Sequence, residues 1–96
     1  MKNFSKVISA MLLFPAVLLA HAGGHDIRGT ILKIEKKSVV VQRTDGVRET
    51  IPLVTATTYR VGDATGTWSD MHDGSRVVVH IGRDGNAIAV HLPPRK

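Results

Sequence analysis

Four imidazoles and one thioether are the side chains best equipped for chemistry in this sequence: His25, Met71, His72, His80 and His91. Imidazole nitrogen suits copper, zinc and nickel, and a thioether adds a soft donor. Met71-His72 sets the two donor types side by side. His25-Asp26 follow Gly23, whose amine becomes free if the chain is cut after Ala22. His80 and His91 fall on one face of a predicted hairpin, offset diagonally, where neighbours stand roughly 7–8 Å apart. A subset of these five would hold copper, silver or zinc.

Other chemistries are poorly supplied. With no Cys, thiolate ligands and Cys nucleophiles are excluded. Neither His-x-His nor His-Glu-x-x-His occurs. Ser38, Ser69 and Ser75 lie outside any Gly-x-Ser-x-Gly elbow. Asp63, Asp70 and Asp73 gather loosely, but acid–base work by carboxylates needs a cleft. A small interior filled by Val and Ile leaves little room for one, so the chain reads as non-enzymatic. Structural roles compete for the same residues. Trp68 and Met71 at i,i+3 spacing predict a pair of core plugs, and His72 predicts a solvent-facing turn residue.

The elements that must position these residues are short strands separated by turns, the pattern of a small all-β domain. Strands are predicted at Ile27–Glu35, Val39–Arg43, Val47–Val54, Thr57–Val61, Ser75–Gly82 and Ala87–Leu92. Gly62 to Gly66 reads as a loop. Pro52 cannot donate to a ladder and marks an edge strand or a bulge. Thr44-Asp45-Gly46 and Arg83-Asp84-Gly85-Asn86 read as hairpin turns. A two-residue turn at Asp84-Gly85 would set Ile81 opposite Ile88, Val79 opposite Val90 and Val77 opposite Leu92. Thr67 and Asp70 form a variant capping box that starts one helical turn.

Lys2 and Lys6, an apolar run from Val7 to Leu19 and Ala20-His21-Ala22 make a secretory signal peptide, predicted to be cleaved after Ala22. The run is shorter than the roughly 20 residues of a spanning helix and contains Pro15. No membrane anchor is therefore expected after cleavage, and the predicted location is the bacterial periplasm or the exterior. Removing residues 1–22 takes away Phe4, Phe14, Met1 and Met11 and lowers the formal charge from +5 to +3. Without a Lys/Arg block, and with Tyr59 and Trp68 as the remaining aromatics, no nucleic-acid partner is expected. The predicted organisation is a signal at 1–22, a flexible lead-in at 23–28, a domain at 29–92 and a polar tail at 93–96.

Gly29-Thr30-Ile31-Leu32-Lys33-Ile34, Val39–Val41, Asp45-Gly46 and Trp68-Ser69-Asp70-Met71-His72-Asp73-Gly74-Ser75-Arg76-Val77-Val78-Val79 carry a resemblance. Together they resemble a bacterial family of small exported β-barrels, the domain of unknown function 5666. That resemblance implies a five- to six-stranded, mostly antiparallel barrel, OB-like, with one short helical turn; it implies no established activity. Trp68-Ser69-Asp70-Met71 is also similar to the Trp-x-x-Met segment of periplasmic copper- and silver-binding efflux chaperones. Here the segment lies late in the chain and lacks a second Met. The functional expectation is an exported, non-enzymatic binding module of the envelope. Its contact surfaces would be the Pro52 strand edge and the Trp68–His72 turn, and its partner an envelope protein. The alternatives are a copper, silver or zinc binder and a carbohydrate-binding module, the last requiring exposed aromatics.

Overall fold

Val39-Val40-Val41 and Val77-Val78-Val79 are β-branched runs, stiff at χ1 and best accommodated on a pleated surface. In the computed structural model, which describes residues 24–95, both runs lie in strands at the heart of one sheet. The described residues form β1 (His25–Ile34), β2 (Ser38–Arg43), β3 (Arg48–Pro52), β4 (Thr58–Val61), β5 (Ala64–Thr65), β6 (Arg76–Ile81) and β7 (Ala87–Leu92). A 3-10 turn at Trp68–Asp70 sits between β5 and β6. The signal sequence expected over residues 1–22 lies outside the described residues.

The sheet runs β3-β2-β1-β6-β7-β4-β5, with β3 and β5 at open edges. Its pairs are antiparallel except β4 with β7, which run parallel. The all-β, mostly antiparallel expectation therefore holds, whereas the strand count rises from five or six to seven and the sheet is mixed and open. The extra strand is β5, which occupies part of the segment predicted as the Gly62–Gly66 loop. Its two residues offer weak sequence signal, and pairing with Arg60 and Val61 supplies what propensity does not.

Strand alternation sends one set of side chains inward. Ile31, Val41, Val79 and Val90 are fully buried, with Ile27, Val39, Ile51, Val61, Val77, Ile81, Leu92 and Met71 around them. Burying each such side chain contributes roughly 1.5–3 kcal/mol. Among the described residues there is no helix longer than the 3-10 turn to cover this face. A register shift between Ile31 and Lys33 in β1 provides a bend of the kind β-bulges impose.

Two sequence expectations are corrected at the strand ends. His25 and Asp26, expected only in a flexible lead-in, already pair with Ile81 and His80 of β6, so β1 starts two residues before the predicted Ile27. The C-terminal hairpin keeps Val79 opposite Val90, but Ile81 pairs with Ala87 after a register shift. Ala87 is thus buried and Ile88 is exposed. The cause is the turn. Gly85 N–H donates to the Gly82 carbonyl and Gly82 N–H to the Asn86 carbonyl, closing a three-residue loop rather than the expected two-residue one. Gly85 takes the left-handed conformation at φ 89° that this loop requires.

Candidate functional site

Trp68 departs most from its predicted role. It is 41% exposed, not a core plug, while Met71 is 4% exposed and does fill the core. The two side chains part because the turn is only three residues of 3-10 helix and Met71 already has extended backbone. The Asp70 half of the predicted capping box forms: Thr67 N–H donates to the Asp70 carboxylate at 2.7 Å. Arg95 donates to the same carboxylate, tying the C-terminal tail back onto this turn. The Thr67 hydrogen bond, and then Arg95, hold the Asp70 carboxyl below the usual aspartate range.

The Trp68 indole is exposed and also fixed. Its Nε1–H donates to the Glu35 carbonyl at 3.1 Å, linking the 3-10 turn to the end of β1. One groove gathers Trp68 with Tyr59 from β4, Lys36 and Lys37 from the β1–β2 turn, and Leu53 and Val54 from the chain leaving β3. Tyr59 is half-buried, and that burial pushes its phenol up from the ordinary value. Val54, like Trp68, is an exposed large apolar side chain, so this groove concentrates apolar surface beside two lysines. Sequence reasoning singled out Trp68 and Tyr59 but not their companions. Lys36, Lys37 and Val54 come from separate turns, and no spacing rule links them to residue 68.

The five proposed metal ligands are scattered. Met71 is in the core, and His72 is exposed in the turn whose carbonyl accepts Ser75 N–H at 3.0 Å. Strand alternation sends His25 to the face opposite Asp26 and His80. His80 and His91 do come together, edge to face, with ring centroids 4.8 Å apart. The register makes them diagonal neighbours, because Val78 pairs with His91 and His80 with Ala89. His80 Nδ1 donates to the Asp26 carboxylate on the adjacent strand. A carboxylate only accepts, so Nδ1 is the donor in this contact. Among the described residues no group of three or more His, Cys, Asp or Glu is arranged to hold a metal ion. Also among them, no helix is long and apolar enough to cross a membrane.

No family model matches the chain, and no curated protein matches it.

Proposed function

We propose that this chain is an exported, non-enzymatic binding module of the bacterial envelope that takes its ligand in the Trp68 groove. The observation that carries this reading is the indole itself, 41% exposed yet pinned by a hydrogen bond to Glu35. A rigid aromatic face that costs little entropy to engage is what binding surfaces use as an anchor. The ligand class that fits is a saccharide: its apolar ring face stacks on Trp68, its hydroxyls reach Tyr59 and Thr55, and Lys36 and Lys37 receive acidic substituents. The frame is a curled, barrel-like sheet of OB-like shape, a reading supported by an inner face buried without a covering layer among the described residues. Export rests on the signal-like residues 1–22.

Titration of the purified protein with an oligogalacturonide and with a neutral cello-oligosaccharide, followed by Trp68 fluorescence, tests the groove. Saturable change with either sugar is the expected outcome; because Trp68 is the single Trp, its role is checked by calorimetry, where Trp68→Ala should abolish sugar binding. Replacing Lys36 and Lys37 by Ala should weaken the acidic sugar alone. Unchanged fluorescence with both sugars removes the carbohydrate ligand.

The contact of His80 with His91 favours a second reading, a copper or zinc binder built on those two imidazoles. Asp26 orients His80 as carboxylates orient metal-bound histidines. Isothermal titration with Cu(II) and Zn(II) decides it: binding tighter than about micromolar, a level worth about 8 kcal/mol, must disappear in His80→Ala and His91→Ala alike.

A further inference from the structure

The outward face of β1, β6, β7 and β4 has an ordered chemistry of its own. Arg28 pairs with Val78, Val78 with His91 and His91 with Arg60. These four residues therefore form one row across four neighbouring strands, each step about 4.8 Å. Arg76 pairs with Thr30, one step further along the same face of β6 and β1. Arg76 is thus a diagonal neighbour of both Arg28 and His91, roughly 7–8 Å away. Arg28, Thr30, Arg76, Val78 and His91 line a single recess, with Thr44 at its margin.

Three acidic side chains, one on β1, one in the β2–β3 turn and one on β3, are already engaged. Asp26 accepts from His80, and Asp45 and Glu49 pair with Arg43. Further off, Asp70 pairs with Arg95 and Glu35 with Lys33. Among the described residues, neither Arg28 nor Arg76 has an ion-pair or side-chain hydrogen-bond partner. Two unpaired guanidinium groups at diagonal spacing would repel one another across a concave floor. An oxyanion between them relieves that repulsion and matches the forked geometry in which arginine binds phosphate.

We propose that this recess is a phosphate site, taking a phosphomonoester whose small organic body rests on Val78. Arg28 and Arg76 clamp the phosphate oxygens, and the Thr30 hydroxyl donates from the floor. His91 closes the rim. The recess shares no lining residue with the Trp68 groove, so it stands independently of the saccharide reading of that groove.

The test is titration of the isotope-labelled protein with inorganic phosphate and with glycerol 3-phosphate at low salt, read by amide and side-chain NMR shifts. Saturable shifts centred on Thr30, Arg76, Val78 and His91 are expected. Tighter binding of glycerol 3-phosphate supports a body resting on Val78; tighter binding of inorganic phosphate overturns that part and leaves a free-ion site. Arg28→Gln and Arg76→Gln should each weaken binding at least tenfold. Arg83→Gln, which removes an equal charge from a distant exposed turn, should leave it unchanged. Equal loss in all three variants, or shifts that never saturate, would reduce the effect to general charge attraction and overturn the proposal. Because all three positions are exposed, the unliganded spectrum of each variant checks that the fold is retained.

Discussion

Thr57 is the buried polar side chain among the described residues, and its hydroxyl is fully used. It donates to the Ala87 carbonyl at 2.7 Å and accepts from Val54 N–H at 3.0 Å. It therefore joins the start of β7 to the chain leaving β3, across the interior. Thr57→Val keeps the shape and removes both bonds, leaving the Ala87 carbonyl without that donor. The expected cost is about 1–3 kcal/mol, read as a lowered urea midpoint. A midpoint equal to that of the parent protein would show that water replaces the hydroxyl freely. Asp70 acts on the Trp68 groove through pH. Its folded-state pKa is depressed by the Thr67 N–H and by Arg95, so its contribution is present above the ordinary aspartate value and is lost as pH falls through the folded value. Trp68 fluorescence should stay flat from neutral pH down to the carboxylate range and change below it. In Asp70→Asn that acid-side change should be absent. At this scale the sequence was half legible. The diagonal pairing of His80 with His91 followed from strand alternation and the Val79–Val90 register, whereas the indole of Trp68 is held by a hydrogen bond to a residue 33 positions away.

At the scale of elements, turn chemistry was the most legible signal, and its detail depended on loop length. Thr44-Asp45-Gly46 and Arg83-Asp84-Gly85 adopt the same three-residue form. In each, the Asp carboxylate accepts a backbone N–H two residues on, from Val47 at 3.1 Å and from Asn86 at 3.0 Å. Asp-Gly announces a turn in either length, so the register beside Ile88 could not be read from the dipeptide. Two glycines separate conformational need from close approach. Gly46 has φ 90° with open space where a Cβ would sit, so Gly46→Ala meets only the left-handed backbone penalty, roughly 1–2 kcal/mol. Gly29 needs no special φ, but a Cβ there would lie 2.0 Å from the Gln42 carbonyl oxygen of β2. Gly29→Ala must therefore push β1 from β2 close to the register shift between Ile31 and Lys33. The expected order is a larger loss of thermal stability for Gly29→Ala than for Gly46→Ala. The reverse order would mean that β2 yields easily at Gln42.

The whole molecule shows where local patterns stop being informative. Each long strand was visible in its own residues, but the order β3-β2-β1-β6-β7-β4-β5, with β4 parallel to β7, was not. Hairpin signals report neighbours in sequence, while β1–β6 and β4–β7 pairings are decided by which arrangement buries the apolar faces together. The β1–β6 pairing also bears on the proposed export signal. His25 pairs with Ile81 and Asp26 with His80, so the sheet begins three residues beyond Ala22. Gly24 is seated tightly as well: a Cβ there would lie 2.2 Å from the Ile81 carbonyl oxygen. Cleavage after Ala22 would leave Gly23 as a single residue ahead of this packed start, whereas removal of four more residues would cut into the sheet. Expressed in a bacterium with secretory machinery, the protein should carry Gly23 at its N-terminus by mass spectrometry. Compared by urea unfolding, a chain beginning at Gly23 should match the stability of the full-length chain. One beginning at Ile27 should lose about 1–3 kcal/mol, the worth of two or three ladder hydrogen bonds. It should also free His80 from Asp26, which would appear as a changed His80 ring environment by NMR. Equal stability of the two shortened chains would show that the first two residues of β1 are carried by the sheet without supporting it, and that the cleavage position is not constrained by the fold.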